Sequence, residues 1–158
     1  MKLYIKQRVF SWKDKFSVFD ENENLKYFAE SELFTFGKKI HLYEECGKEV
    51  SFISETITLF MPRFSIIRDG TEVAEVVREF TFFRPKYRID GLGWQLEGEV
   101  FDHNYWLTDE KGDIVTTVSK AWFTWGDTYE IDIADDVDPV IALSVVLIID
   151  AVLANRNN

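Results

Sequence analysis

The 158-residue sequence has few of the residues that build cross-linked or metal-stabilised folds: one cysteine, two histidines, three prolines and eight glycines. Cys46 has no second cysteine to pair with, which excludes an internal disulfide and is typical of a reducing compartment. With only His41 and His103 beside it, no Cys/His metal site is expected. Because prolines and glycines are too few for a linker, residues 1–158 are predicted to form a single domain.

Positive charge is also scarce, since 18 Lys and Arg stand against 28 Asp and Glu, for a net charge of −10. A domain that binds nucleic acid through its overall field should be basic, so no nucleic-acid partner is expected. The charged start at residues 2–8 lacks the apolar core of a signal peptide, and a cytoplasmic location is expected.

Motifs for cofactors and catalysis are missing as well. The stretch Gly91–Gly98 departs from the dinucleotide-binding pattern because Leu96 replaces its third glycine, and it favours a hairpin turn. No phosphate-binding P-loop and no nucleophile elbow occurs in the sequence. The sequence therefore predicts no cofactor and no enzymatic activity.

A short aromatic motif, by contrast, recurs three times along the chain. The copies are Phe34-Thr35-Phe36, Phe80-Thr81-Phe82 and Phe123-Thr124-Trp125. Turn signals rich in Asp, Asn, Glu and Gly precede the copies at 20–24, 69–70 and 109–113. The flanking turns favour three copies of a unit of about four strands over a chance recurrence.

Alternating polar and apolar residues predict twelve β-strands joined by short polar turns, as in an antiparallel meander. The strands are predicted near residues 2–8, 15–20, 25–31, 38–45, 49–60, 63–69, 72–81, 86–91, 94–101, 104–109, 113–121 and 128–134. So many twisted strands do not form a comfortable open sheet, so we expect closure into a barrel or a sandwich.

An apolar helix is predicted at residues 139–154, with Asp138 as its N-cap and Pro139 at its first position. It is apolar on every face, so it must lie inside a core or a membrane. Its length of about 24 Å and the carboxylate of Asp150 both count against a membrane span. A twelve-stranded barrel has room for a helix, which predicts a mainly β, closed antiparallel barrel around a central C-terminal helix.

These segments also resemble a known family. The opening residues 2–11, the segment Phe34–His41 and the apolar tail from Asp138 resemble the bacterial branch of the LURP-one-related family along essentially the whole chain. That family is similar in fold to the tubby C-terminal domain and to phospholipid scramblases, so the resemblance implies a twelve-stranded barrel around a central helix. It implies no particular activity, and no ligand contact carries over to a numbered residue.

Two groups of basic residues are candidates for binding an anion such as a phosphate headgroup. The first comprises Arg78, Arg84, Lys86 and Arg88, and the second comprises Lys2, Lys6, Arg8, Lys13 and Lys15. The alternative is a solvated strand face or edge protection. Within the first group, Arg84, Lys86 and Arg88 are the predicted anion-binding residues.

Other titratable residues have simpler explanations. His103 follows several carboxylates and could act as a general base, but an exposed turn before Tyr105 is favoured. His41 should face opposite to Ile40 and Leu42. The acidic residues of 132–138 lack the spacing of a calcium loop, so they are interpreted as turn and helix-capping residues.

The sequence thus favours a non-catalytic binding or interaction module, directed at phospholipid headgroups or at another protein. One alternative is a hydrolase that uses His103 on a barrel rim, and missing catalytic motifs count against it. The other is a membrane-tethered protein whose helix leaves the barrel. The shortness of the helix counts against that alternative, so no integral membrane insertion is expected.

Overall fold

The computed structural model describes residues 1–6, 16–33, 35–59, 61–79, 81, 86–121 and 128–154. These residues form twelve β-strands and one α-helix. The strands are β1 Lys2–Lys6, β2 Phe16–Phe19, β3 Leu25–Ser31, β4 Lys39–Glu44, β5 Glu49–Thr56, β6 Arg63–Arg68, β7 Thr71–Glu79, β8 Lys86–Asp90, β9 Trp94–Glu99, β10 Asn104–Thr108, β11 Ile114–Lys120 and β12 Thr128–Ile133. A 3-10 turn covers Val100–Asp102, and helix α1 covers Pro139–Ala154. The number, type and order of the predicted elements are confirmed, while the bounds of several strands differ from those predicted. Residues 7 and 8 of the first predicted strand lie outside the described residues.

The strands form one closed antiparallel barrel in which each pairs with the next along the chain. Pairing of β1 with β12 closes the barrel, with Leu3 opposite Ile131 and Ile5 opposite Tyr129. Closure leaves neither of these terminal strands as an unpaired edge, which removes a template for aggregation.

The positions of the three aromatic motifs can be compared with the order of the strands. By residue number, the three copies fall between β3 and β4, between β7 and β8, and between β11 and β12, so they are spaced by four strands. The three turn signals fall between β2 and β3, between β6 and β7, and between β10 and β11. Of the motifs themselves, only Thr35, Phe36 and Thr81 are among the described residues.

Helix α1 fills the barrel. Ten consecutive residues from Val140 to Ile149 are buried, as are Ala151 and Val152. Inward residues of the strands supply the neighbours that an all-apolar helix needs, and Ser144 Oγ donates a hydrogen bond to Ser51 Oγ on β5 at 2.9 Å. Within the described residues, no helix is both long and apolar enough to cross a membrane.

The two ends of the barrel differ in their connections and charge. At the end where α1 begins, called the turn end, tight connections at 20–24, 45–48, 69–70, 91–93 and 109–113 join the strands. Those connections and residues 134–138 carry eleven Asp or Glu and two Lys. At the end where α1 finishes, called the loop end, the described parts of the connections at 32–38, 57–62 and 100–103 carry two carboxylates and one Lys.

Candidate functional site at the loop end

Exposed apolar side chains collect at the loop end. Of the seven large apolar side chains found exposed among the described residues, five belong to this end: Leu33, Phe36, Ile57, Leu59 and Phe101. Phe36 is 96% exposed and Leu59 is 92% exposed, so both project into solvent. Scattered exposed residues are ordinary, but concentration at one end of a barrel marks a candidate interaction surface.

Two adjoining loops carry four of these side chains. The amide of Glu55 donates to the carbonyl of Lys38 at 2.8 Å, and the amide of Lys38 donates to Glu55 Oε2 at 2.8 Å. Gly37 has a φ of +78°, and a Cβ there would lie 2.6 Å from the Glu55 carbonyl oxygen, so only glycine fits this close approach. These contacts hold the two loops side by side, and we call Leu33, Phe36, Ile57 and Leu59 the apolar patch.

Phe101 extends the apolar surface to the far side of the barrel mouth. It lies in the 3-10 turn between β9 and β10, five strands around the barrel from the β4–β5 pair. Val100 is buried while Phe101 is 51% exposed, so the first residue anchors the turn and the second points outward. The loop end therefore presents apolar groups on opposite sides of one rim.

A buried polar cluster lies beneath this rim. Asp150 of α1 is 13% exposed, and its Oδ1 is 3.5 Å from His103 Nδ1. His103 stacks on Tyr129 with ring centroids 4.0 Å apart, and Tyr105 is fully buried beside this group. Burial raises the pKa of Asp150 to about 7, because the charged carboxylate is poorly solvated there. Burial, and then the charge of Asp150, also raise the pKa of Tyr105.

Lys38 caps the carboxyl end of helix α1. Its Nζ donates a hydrogen bond to the carbonyl oxygen of Ala151 at 2.5 Å, which satisfies one of the last carbonyls of α1. Burial lowers the pKa of Lys38 to about 8 despite the nearby charge of Glu55. The residue that joins the two apolar loops therefore also holds the end of the helix.

Two of the three predicted anion-binding residues, Lys86 and Arg88, lie near the loop end on the outer face of β8. Lys86 Nζ is 3.7 Å from Glu79, and Arg88 contacts Glu79 at 3.2 Å and Asp90 at 2.8 Å. The hydrogen bond to Asp90 and its charge, with Glu79, raise the pKa of Arg88. Arg84 lies outside the described residues. The structure thus brings Lys86 and Arg88 close together, and both side chains form ion pairs with neighbouring carboxylates.

His103 occupies the predicted turn before β10, but the expectation that it is exposed was wrong. Its side chain is only 16% exposed, and its φ of +49° is left-handed. A carboxylate near its Nδ1 belongs to Asp150, which is distant from it in sequence. Asp150 and His103 meet because of the position of α1 inside the barrel. No sequence motif could therefore have indicated the pair.

His41 faces the outer surface opposite to the buried Ile40 and Leu42, as predicted. Its Nδ1 is 2.7 Å from Glu49 Oε2, and its Nε2 is 2.8 Å from Glu32 Oε1. Burial opposes the charge of the imidazolium, but these two carboxylates outweigh it and raise the pKa of His41.

Replacing His41 with Gln should therefore lower stability at pH 6 and leave it nearly unchanged at pH 9. A raised pKa stabilises the fold below the unfolded value of 6.5, and the contribution disappears as the pH rises through the folded value. We expect a loss below about 1 kcal/mol, measured by urea unfolding, because the partners are partly exposed. An equal loss at both pH values would instead indicate that stacking of His41 on Phe52 is what matters.

The acidic segment before the helix serves as a cap, as predicted. Asp138 Oδ1 accepts a hydrogen bond from the amide of Val140 at 2.9 Å, and its other oxygen pairs with Arg68. Throughout the described chain, no group of three or more potential ligands stands ready to hold a metal ion. The glycines at 91 and 93 have φ values of +92° and +65° and form the predicted turn.

A closed barrel of twelve antiparallel strands filled by a C-terminal helix defines a tubby-like barrel. The X-ray structure of a protein from Arabidopsis thaliana has this fold, with a TM-score of 0.71 over 96% of this chain and 90% of that chain, at 18% sequence identity. The LURP-one-related family profile matches residues 1–150. The uncharacterized protein YxjI of Bacillus subtilis strain 168 is 33% identical over 155 residues, covering 98% of this chain and 95% of that protein. This chain belongs to the LURP-one-related family.

Proposed function

We propose that the protein is a non-catalytic binding module that docks its loop end onto a phospholipid surface. The observation that carries the proposal is the gathering of Leu33, Phe36, Ile57, Leu59 and Phe101 at that end. Among the described residues, helix α1 occupies the centre of the barrel, which favours binding at the outer surface.

The placement of these side chains favours a membrane over a protein partner. The apolar patch and Phe101 lie on opposite sides of the barrel mouth, so a broad, flat surface contacts both at once. The turn end carries most of the loop carboxylates, and an anionic bilayer repels it, which orients the loop end toward the lipid. Burying one such side chain contributes about 1.5–3 kcal/mol, so a few of them sustain peripheral binding.

Sedimentation with phosphatidylcholine vesicles tests this proposal. The double variant Phe36→Ser/Leu59→Ser should lower the vesicle partition constant at least about tenfold, because each lost apolar contact is worth over 1 kcal/mol. Ile114→Ser is the matched control, since Ile114 is 57% exposed at the turn end. Absence of wild-type binding, or equal losses in both variants, would contradict the proposal and leave a protein partner as the occupant.

The basic residues supply a second arm of this test. We propose that Arg84, Lys86 and Arg88 add contacts to phosphate groups, since β8 starts at the loop end and Lys86 is 72% exposed. With phosphatidylserine in the vesicles, Ala replacements at all three positions should remove the salt-sensitive part of binding. Salt-independent binding of the wild type to these vesicles would exclude the charged contribution and leave the apolar one.

A further inference from the structure

A cavity of about 460 Å³ opens at the turn end, opposite the proposed docking surface. It lies between the β8–β9 turn, the β10–β11 turn and the residues that precede α1. Small-molecule sites in proteins commonly have volumes of about 300–1,000 Å³, so this cavity has the size of a ligand site. We call it the turn-end pocket.

The inner wall of the turn-end pocket is apolar and includes an indole. Leu92, Trp94, Val137 and Ile141 contribute to it, and Trp94 is partly buried and packs against the core. A wall of this kind favours a ligand with a compact apolar or aromatic body.

The mouth of the pocket is strongly acidic. Asp109, Glu110, Asp136 and Asp138 line it, and Lys111 is the one basic lining residue found among the described residues. Lys111, the Arg68 guanidinium paired with Asp138 and a partial positive charge of about half an elementary charge at the amino end of α1 offset part of this negative charge, but the four carboxylates outweigh them. A cleft lined by one sign of charge and low-dielectric walls focuses its field on an ion of the opposite sign.

Two of the four carboxylates already support the local structure. Asp109 Oδ1 accepts the amides of Lys111 and Asp113 at 2.8 and 3.0 Å, while Asp138 caps the helix. Glu110 and Asp136 are exposed and make neither of those contacts. Neutralising Glu110 and Asp136 therefore changes the charge of the mouth without removing its turn or cap.

Gly93 brings Glu110 against the opposite side of the mouth. A Cβ at position 93 would lie 2.5 Å from Glu110 Cγ and Oε1, and the φ of +65° also favours glycine there. The Glu110 carboxylate thus extends across to the β8–β9 turn, beside the strand that carries Trp94.

We propose that the turn-end pocket binds an organic cation, such as a substituted ammonium ion with an aromatic or short aliphatic body. Its positive group would lie between Glu110 and Asp136 and beside Trp94, because indole rings attract cations. Its body would pack on the apolar wall of the pocket. An inorganic divalent cation needs several converging oxygen ligands, and no such cluster exists among the described residues.

Isothermal titration with phenyltrimethylammonium, and with benzyl alcohol as a neutral aromatic probe, tests the proposal on the full chain. We expect saturable one-site binding of the cation and affinity for benzyl alcohol weaker by about tenfold. Both Glu110→Gln/Asp136→Asn and Trp94→Leu should weaken cation binding by about tenfold or more.

Glu21→Gln/Glu45→Gln is the control, since it removes the same charge from exposed turn-end residues outside the pocket. Equal weakening by both double variants would show that only the general field attracts the cation and would overturn the proposal. Equal affinity for benzyl alcohol, or no saturable binding to a wild type that melts cooperatively, would also overturn it. None of these outcomes bears on vesicle binding at the loop end.

Discussion

A chain carrying Leu147→Asp should lose its cooperative thermal transition. Leu147 is 3% exposed near the middle of α1, surrounded by inward-facing strand residues. A carboxylate there is an unpaired buried charge, which costs at least about 3–5 kcal/mol. Total stability of a domain is only about 5–15 kcal/mol, so this one substitution removes a large share.

Leu147→Met is the matched control, because it keeps the volume and should cost less than about 1.5 kcal/mol. Deletion of residues 139–158 extends the test, since an emptied barrel would expose its apolar inner wall and aggregate. Circular dichroism melts and size-exclusion chromatography measure both effects. A monomeric Leu147→Asp chain that melts near the wild-type temperature would contradict a central role for α1.

The regular elements were predictable because each leaves a local signal. Residues 129–133 alternate between buried and outward positions, and the pattern in sequence gives the strand directly. The helix is visible because Val140–Ile149 contains nine apolar residues and Ser144, more than a strand needs. Closure then follows from the number of strands and from the diameter of the helix.

Strand ends were less predictable because tertiary contacts determine them. β5 was predicted to reach residue 60, yet it ends at Thr56, where the hydrogen bonds between Lys38 and Glu55 complete the ladder. β9 was predicted to reach residue 101, but Val100 starts a 3-10 turn that positions His103. In both cases the chain leaves the sheet at the loop end.

The candidate site was the least predictable feature. In sequence, Phe36 and Leu59 resemble core residues, and only the fold shows that both project from the rim. In sequence, Asp150 stands out only because a carboxylate is energetically unfavourable inside a membrane. Its proximity to His103 depends on how the helix is placed inside the barrel. Apolar residues in loops, rather than in alternating segments, are the one signal that could have marked the surface.

Asp150→Asn should stabilise the protein above pH 7 and leave it nearly unchanged near pH 4. Burial raises the pKa of Asp150 from 3.8 to about 7, so the folded state keeps a proton that the unfolded chain releases. The free energy of unfolding therefore falls as the pH rises from about 4 to about 7. Asparagine cannot ionise, so the stability of the variant does not fall over this pH range. The expected difference from the wild type above pH 7 is up to roughly 4 kcal/mol, at about 1.36 kcal/mol per pKa unit.

His103 is the group that could reverse this result. A protonated His103 paired with an ionised Asp150 would stabilise the fold, and Asn would then be destabilising at neutral pH. Their separation of 3.5 Å exceeds the usual hydrogen-bond range of about 2.7–3.2 Å, so we expect desolvation of Asp150 to dominate. Urea unfolding from pH 4 to 8 measures the difference, with the exposed Asp102→Asn as the control. A variant less stable than wild type at pH 8 would establish the ionic pair instead.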